Sequence, residues 1–388
     1  MAQDSASGGR PRPPRIVVAP DSFKGSLDAV EVCEVVAEGA RRAIPGAVVA
    51  SVPMADGGEG TLDCFLAALG GQEMVLDVQD PLGRRVPARY ALSIDGRSAV
   101  VELASASGLP LVADREPDPL RADTTGTGEL IADAVENGAR DILVTIGGSA
   151  STDGGTGLLR ALGVRFLDAQ GAELPPGGGG LARIASIDAS GIPDGVREAR
   201  FRVACDVTNP FIGPKGAAEV FAPQKGASPA QVKELDAALA RFADVLAETT
   251  GVRVHDLPGA GAAGGVCGGM VALLGAEPAR GAELVAETVG LGTALAGADL
   301  VVTGEGRVDA QSAGGKVVSV VASMARERGI PVVALAGSVA GPLEPLHAMG
   351  LTAVFSLADG PRTLDELTGS ADRLLAGLAE QVVRLRFG

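Results

Sequence analysis

The chain has 388 residues, too many for one ordinary hydrophobic core, and 46% of them are apolar, so its length and composition predict two globular domains rather than a disordered polypeptide. A formal net charge of −15, no Trp and a single Tyr argue against a nucleic-acid partner, since both a polyanion-binding surface and stacking platforms are missing. Four Cys without a C-x-x-C pair, and only two His, argue against structural zinc and Ser-His-Asp catalysis, and the free thiols fit a reducing cytoplasm.

Residues 1–14 are polar and rich in Gly, Pro and Arg, with no apolar h-region, and read as a disordered leader rather than a signal peptide. No stretch has the length and apolarity of a membrane span, so no membrane partner is expected. Residues 15–20 (R-I-V-V-A-P) have the continuous apolar pattern of a buried parallel strand. They end in D-S-F-K-G-S (21–26); Ser26 or Asp28 caps a predicted helix over 27–43, which Ile44-Pro45-Gly46 stops. Residues 48–52 predict a second strand, which enters P-M-A-D-G-G-E-G-T (53–61) and then a helix to Leu69. The pattern changes near residue 78. Asp80-Pro81-Leu82-Gly83 is a turn, residues 85–94 alternate loosely, and Asp95-Gly96 signals a hairpin to a strand over 98–103.

A helix opens at T-T-G-T-G-E (124–129), with Thr127 or Gly128 near its cap. Residues 142–146 form a strand that ends in I-G-G-S-A-S-T-D-G-G-T-G (146–157) before a helix-compatible run, 158–162. Such a strand-to-helix loop offers backbone N–H groups and a helix N-terminus to an anion. Residues 171–180, with four consecutive glycines, read as a flexible surface loop. Residues 201–205 form a strand leading into D-V-T-N-P (206–210), and 229–249 a long amphipathic helix. The glycine-rich run 258–269 matches G-x-G-x-x-G at Gly259, Gly261 and Gly264, but no strand precedes it; it reads as a close helix approach or a phosphate loop. Residues 299–303 restore the α/β pattern and enter G-E-G-R-V-D (304–309), Gly314-Gly315-Lys316 opens a helix, and 330–336 and 352–356 predict two more parallel strands.

The simplest architecture is α/β: a Rossmann-like parallel-sheet domain made of residues 15–78 plus 285–388, with a second α/β domain, 79–284, inserted and an active-site cleft between them. The alternative is two sequential domains divided near residue 190.

Phosphoryl transfer needs cations and N–H groups around phosphates, carboxylates for Mg²⁺, and a group at the acceptor hydroxyl. The loops supply these types. Their carboxylates are Asp56, Glu59, Asp153, Asp206, Glu305 and Asp309, and their cations are Lys24, Lys215, Lys225 and Lys316, each beside a glycine in a chain with only five lysines. Glu305 and Asp309, four apart after a strand, form a candidate Mg²⁺ pair, unless Glu305 is a helix cap. Asp56 and Asp153 share D-G-G-x-G; each is a base, a metal ligand or a turn aspartate. No G-x-x-x-x-G-K-[ST] is present, which excludes a P-loop NTPase.

The chain resembles the bacterial glycerate kinases of the first type, a two-domain class unrelated to P-loop kinases. The resemblance rests on A-P-D-S-F-K-G-S (19–26), P-M-A-D-G-G-E-G-T (53–61), G-T-G-E-L-I (126–131), I-G-G-S-A-S-T-D-G-G-T-G (146–157), A-C-D-V-T-N-P-F (204–211), F-A-P-Q-K-G-A (221–227), P-G-A-G-A-A-G-G (258–265) and D-L-V-V-T-G-E-G-R-V-D (299–309). It implies ATP-dependent, Mg²⁺-requiring phosphorylation of D-glycerate, with 2-phosphoglycerate favoured over 3-phosphoglycerate, by a cytoplasmic monomer or homodimer. On that basis Lys24 and Lys316 bind anionic groups of glycerate or ATP, Gly304 and Gly306 join Lys316 at the nucleotide, and Glu305 and Asp309 hold Mg²⁺. Asp56 or Asp153 orients or deprotonates the acceptor hydroxyl, with Lys24 as a third catalytic residue. Asp21, Ser22, Gly148, Ser149, Asp206 and Asn209 bind the substrate. Two rival readings share the scaffold, a non-catalytic metabolite-binding regulator and a kinase for another small sugar acid. Ala150-Ser151-Thr152-Asp153, Asp123-Thr124-Thr125-Gly126 and Cys267 depart from the family's usual residues.

Overall fold

The computed structural model describes residues 12–388, so residues 1–11 of the expected leader lie outside it. Residues 12–14 are not loose: Arg12 forms an ion pair with Asp299 (2.6 Å), and the carbonyl of Pro14 accepts from Val48 N. The chain divides into two compact units, one from Met1–Met54 with Gly290–Gly388 and one spanning Ala55–Val289. No helix among the described residues is long and apolar enough to cross a membrane.

The first unit is built on five parallel strands in the order Leu351–Ser356, Val332–Val339, Leu300–Val308, Arg15–Val18 and Val48–Ser51. The inner strands are apolar runs because helices cover both faces of such a sheet. From Arg15–Val18 the chain steps outward to Val48–Ser51. From Leu300–Val308 it steps the other way, through Val332–Val339 to Leu351–Ser356. Strand order therefore reverses between Arg15–Val18 and Leu300–Val308, and ligands of open α/β sheets bind beyond the strand C-termini at such a switch. Asp28 caps the helix Ala29–Ala43 in a reciprocal box with Glu31. That helix lies against Ala371–Phe387, where Gly39 permits the approach: a Cβ there would fall 2.3 Å from the Ala376 carbonyl oxygen. The strand Leu300–Val308 runs five residues past the expected end at Thr303, since it stays paired with Val332–Val339 as far as Val308.

The second unit carries a six-stranded mixed sheet, ordered Glu277–Ala279, Arg200–Ala204, Asp141–Thr145, Ser98–Glu102, Arg85–Leu92 and Gln72–Gln79. The first four are mutually parallel, and the last two pair antiparallel. The sequence pattern predicts no strand at Gln72–Gln79, whose outward positions mix the polar Glu73 and Asp77 with the exposed Val75. The unit boundaries fall at 54/55 and 289/290, against the sequence boundaries of 78/79 and 284/285. The helix Thr61–Leu69 accounts for the first difference: its Leu62 and Phe65 are buried against Ala91, Val100, Leu143 and Leu284.

The main core of this unit is one contiguous cluster. Leu235, Leu239, Phe242 and Leu246 of the helix Pro229–Thr250 enter it, and Phe242 meets Phe166 edge-on with centroids 5.7 Å apart. The glycine run at 177–180 is packed rather than flexible. Gly178 and Gly180 are buried, and a Cβ on Gly178 would lie 2.1 Å from the Thr152 carbonyl. The run 258–269 is a close approach as well: Gly264 accepts from Gly154 N, and Gly265 and Gly268 leave room for the Phe211 ring.

Replacing Phe65 by Ala removes a fully buried ring from the satellite core and is expected to cost about 3–5 kcal/mol. Urea denaturation followed by fluorescence of a label in the second unit checks this; a loss under about 1 kcal/mol would show that the helix Thr61–Leu69 is peripheral to it.

Candidate active site

The loop at 146–157 divides into two parts. Gly147 and Gly148 are exposed, and Gly148 adopts φ +73°, open to glycine at no steric cost. From Ser149 to Leu159 every residue is buried. Asp153 is completely inaccessible, and its carboxylate accepts five hydrogen bonds: from Thr124 N (3.1 Å) and Oγ1 (2.8 Å), Ser151 Oγ (3.0 Å), Gly155 N (3.2 Å) and Gly157 N (3.0 Å). The N–H groups expected to hold a ligand anion thus hold the chain's own aspartate. Where the sequence expects a catalytic carboxylate, the structure has Asp153 with no accessible surface and its acceptor capacity taken up internally, tying the loop together. Burial, and then the charge of Asp153, push the neighbouring Asp123 carboxyl up to about 6.

The strand C-termini of the second unit open onto a cavity of about 290 Å³. Gly148 and Ser149 follow Asp141–Thr145, Asp206 follows Arg200–Ala204, and Asp56 enters from the loop before Thr61–Leu69. Asp56, Gly148, Ser149 and Asp206 are therefore brought together in one cavity. Asp206 accepts from Gly281 N (2.9 Å); burial, and then the charge of Asp56, hold its carboxyl above the usual range against that bond. Gly57 and Gly281 make this wall possible, since a Cβ on Gly281 would strike the Asp56 carbonyl at 1.9 Å. Ala263, also lining the cavity, is in the left-handed region at φ +54°, where a side chain is strained. Cys205 lines it too, and its thiol donates to the Val207 carbonyl (3.4 Å) and the Gly259 carbonyl (3.6 Å).

Asn209 is not among the lining residues; its side-chain amide donates to the Lys215 carbonyl (2.8 Å) and holds the turn at 213–216. The sequence counts Lys225 among the glycine-flanked loop cations without placing it at a particular ligand, and in the structure it lines the cavity beside Gln224. It ends the short 3-10 turn Pro223–Lys225 and is 5% exposed. Its ammonium donates to Ser149 Oγ (2.8 Å) and to the Ser151 carbonyl. Burial brings it down to about 7, and the charge of Asp153 opposes that fall. Nothing local separates Lys225 from the exposed Lys215, since both precede a glycine.

In the first unit, the loops at the sheet's switch point lie side by side. Asp21 N donates to the Gly304 carbonyl (2.8 Å), and Ser22 N donates to Asp21 Oδ1 (2.6 Å). A Cβ on Gly306 would touch the backbone of Phe23 and Lys24, and Lys24 itself is exposed. Asp309 is the cap of the 3-10 turn Ala310–Ala313: Oδ1 accepts from Gln311 N (2.9 Å) and Oδ2 from Arg307 Nε (3.0 Å). The Gln311 bond, with Arg307 and the charge of Lys316, holds this carboxyl low. Lys316 is exposed and immediately precedes the helix Val317–Arg326. The cap near this strand is therefore Asp309, while Glu305 is still in the strand. Among the described residues no group of three or more His, Cys, Asp or Glu is placed to hold a metal ion.

Asp153→Ala strands three backbone N–H groups and two hydroxyls in the core, and is expected to cost about 3–5 kcal/mol, with Asp153→Asn intermediate. Thermal melts read this directly. A stable Asp153→Ala protein that had lost only turnover would show that the carboxylate acts in catalysis after all.

The sequence model of the glycerate kinase family matches residues 16–386. The chain is 46% identical over 352 residues to a glycerate 2-kinase of Escherichia coli K12, covering 91% of this chain and 92% of that one. It is 44% identical over 367 residues to a glycerate kinase of Halalkalibacterium halodurans, covering 95% and 97%. A crystal structure from Salmonella typhimurium LT2 that carries the name glycerate kinase 2 superposes with a TM-score of 0.89 at 44% identity, covering 96% of this chain and 98% of that one. With a family match over nearly its whole length, the chain belongs to the glycerate kinase family and is a kinase.

Proposed function

We propose that the enzyme transfers the γ-phosphoryl group of ATP to D-glycerate, giving 2-phosphoglycerate. The observation that carries this reading is the cavity of the second unit, which gathers two carboxylates, a serine and a buried lysine at the strand C-termini. A small hydroxy acid needs those groups: cation and hydroxyl for its carboxylate, carboxylates for its hydroxyl. The regiochemistry follows the name of the Escherichia coli relative, a glycerate 2-kinase. ATP phosphates suit the first unit, where Lys24, Gly304 and Gly306 lie at the sheet's switch point and Lys316 begins the helix Val317–Arg326 that follows the strand Leu300–Val308. Asp21 and Ser22 shape that loop. Four free thiols suit a cytoplasmic enzyme.

Mg²⁺ fits Asp56 and Asp206 better than Glu305 and Asp309. Both oxygens of Asp309 already accept hydrogen bonds, one from an arginine. Asp56 and Asp206 instead face one cavity, and the charge of Asp56 raises the Asp206 carboxyl, a repulsion that a divalent cation relieves. When bound there, the ion supplies charge neutralisation for the transferring phosphoryl group. Either carboxylate accepts the hydrogen bond of the acceptor hydroxyl, and a loose phosphoryl-transfer transition state needs little base strength from it.

A coupled ADP-release assay across D-glycerate, tartronate and erythronate is expected to give the highest kcat/KM with D-glycerate, and phosphorus NMR should place the phosphate on C2. No turnover with any of these acids would return the chain to a metabolite-binding role. Asp56→Asn and Asp206→Asn are expected to lower kcat by about 100-fold or more, whereas Asp309→Asn should stay within about threefold of wild type. The reverse ranking, with Mg²⁺ dependence altered by Glu305→Gln, would put the metal back on the 305/309 pair.

A further inference from the structure

Lys225 is the least expected charge in the second unit. It is 5% exposed, and its ammonium is bound only by neutral oxygens, Ser149 Oγ at 2.8 Å and the Ser151 carbonyl. The carboxylate whose charge acts on it is Asp153, which spends its oxygens on backbone N–H groups and hydroxyls instead. An ammonium has three N–H donors, and two are engaged. A buried charge held this way is stabilised far less than one with an anion in contact.

The direction of the Lys225–Ser149 bond adds a second donor. A protonated lysine has no lone pair, so Ser149 Oγ accepts, and the serine keeps its own O–H to give away. Both residues line the 290 Å³ cavity, next to the exposed backbone of Gly147 and Gly148. Two donors on one wall, one of them cationic, match the two oxygens of a carboxylate. A phosphate dianion suits the cavity less well, because Asp56 and Asp206 line it too.

We infer that Lys225 and Ser149 together form the carboxylate-recognition subsite of the acceptor cavity, with Lys225 as its charge-bearing member. The inference rests on the reading of this cavity as the hydroxy-acid site. It orients the acceptor: the carboxylate sits on Lys225 and Ser149, which leaves the hydroxyl end for Asp56 and Asp206. It also makes binding depend on pH. Lys225 bears its proton below about 7 and loses it above, so affinity for a carboxylate is present on the acid side and falls as pH rises. The other titratable groups facing this region are Asp153 behind the lysine and Asp56, Asp206 and Cys205 along the cavity; none of them is removed with Lys225.

The test compares wild type, Lys225→Met and Ser149→Ala in steady-state kinetics and in calorimetric titration with D-glycerate. Lys225→Met is expected to raise the KM and Kd for glycerate by about 100-fold, and Ser149→Ala by about 10-fold, while the KM for ATP stays within about twofold. Wild-type kcat/KM for glycerate should fall about tenfold per pH unit above pH 7, and that limb should vanish in Lys225→Met. A folded Lys225→Met enzyme with an unchanged glycerate KM and the alkaline limb intact overturns the inference. If Lys225→Met does not fold, Ser149→Ala decides alone, and an unchanged glycerate Kd overturns the subsite. Glycerate binding that depends on Lys225 in a protein without turnover would support the subsite while removing the kinase assignment of this cavity.

Discussion

The second unit depends on the filling of one anion site by the chain itself. A strand that breaks into glycines and restarts as a helix exposes N–H groups that attract negative charge. Here the occupant is Asp153, four residues or fewer from two of its donors and 29 residues from the third backbone donor, Thr124. That single carboxylate ties the start of the helix Thr125–Glu136 to the start of the helix Thr156–Ala161. It is a buried charge, tolerable because five donors replace its hydration. The consequence runs outward: with Asp153 anchored, Ser149 and Ser151 are fixed, and through them the ammonium of Lys225. The exposed tip, Gly147 and Gly148, is left facing the cavity.

Much of the fold was legible because parallel strands show up as plain apolar runs, the inner ones because they are covered on both faces and the edge strand Val48–Ser51 despite its exposed ends. The strands Arg15–Val18, Val48–Ser51, Asp141–Thr145 and Arg200–Ala204 begin or end within a residue or two of where composition put them. The misjudgements share a cause. Leu300–Val308 outruns its apolar stretch because a neighbouring strand holds G-E-G-R in register, and pairing overrides local propensity. The glycines at 177–180 suggest flexibility when read locally. Their actual use is the missing Cβ, which lets the Thr152 and Leu120 carbonyls approach, and no local pattern reveals what will press against a glycine. The helix Thr61–Leu69 looked like part of the first βα repeat; only the packing of Phe65 assigns it to the other unit.

The site was legible to the extent that it sits on strand C-termini. Asp56, Gly148, Ser149 and Asp206 stand out by their loops, and they share a cavity. Asp153 stands out on the same grounds and is buried, since D-G-G-x-G describes both a presented aspartate and a sealed one. Asp56 and Asp153 differ in what surrounds the motif, namely Gly281 against the first and Thr124 against the second, each distant in sequence. Asn209, a neighbour of Asp206 in the same loop, holds a turn instead.

The distribution of basic residues explains why a lysine, and not an arginine, stands in the cavity. Every ion pair among the described residues uses an arginine or His255, and none uses a lysine. Arginine suits ion pairing because its planar fork meets carboxylates in pairs and its charge never leaves. The same permanence is a liability at a buried position that must stand empty between substrates, because an unpaired guanidinium there cannot shed its charge. Lysine can give up its proton when the cavity is vacant and regain it as an anion arrives, which spreads the cost of burial over the binding step. In a chain of net charge −15 that entrusts its surface ion pairs to arginine, the one lysine enclosed by neutral oxygens is accordingly placed to respond to a ligand rather than to a structural partner.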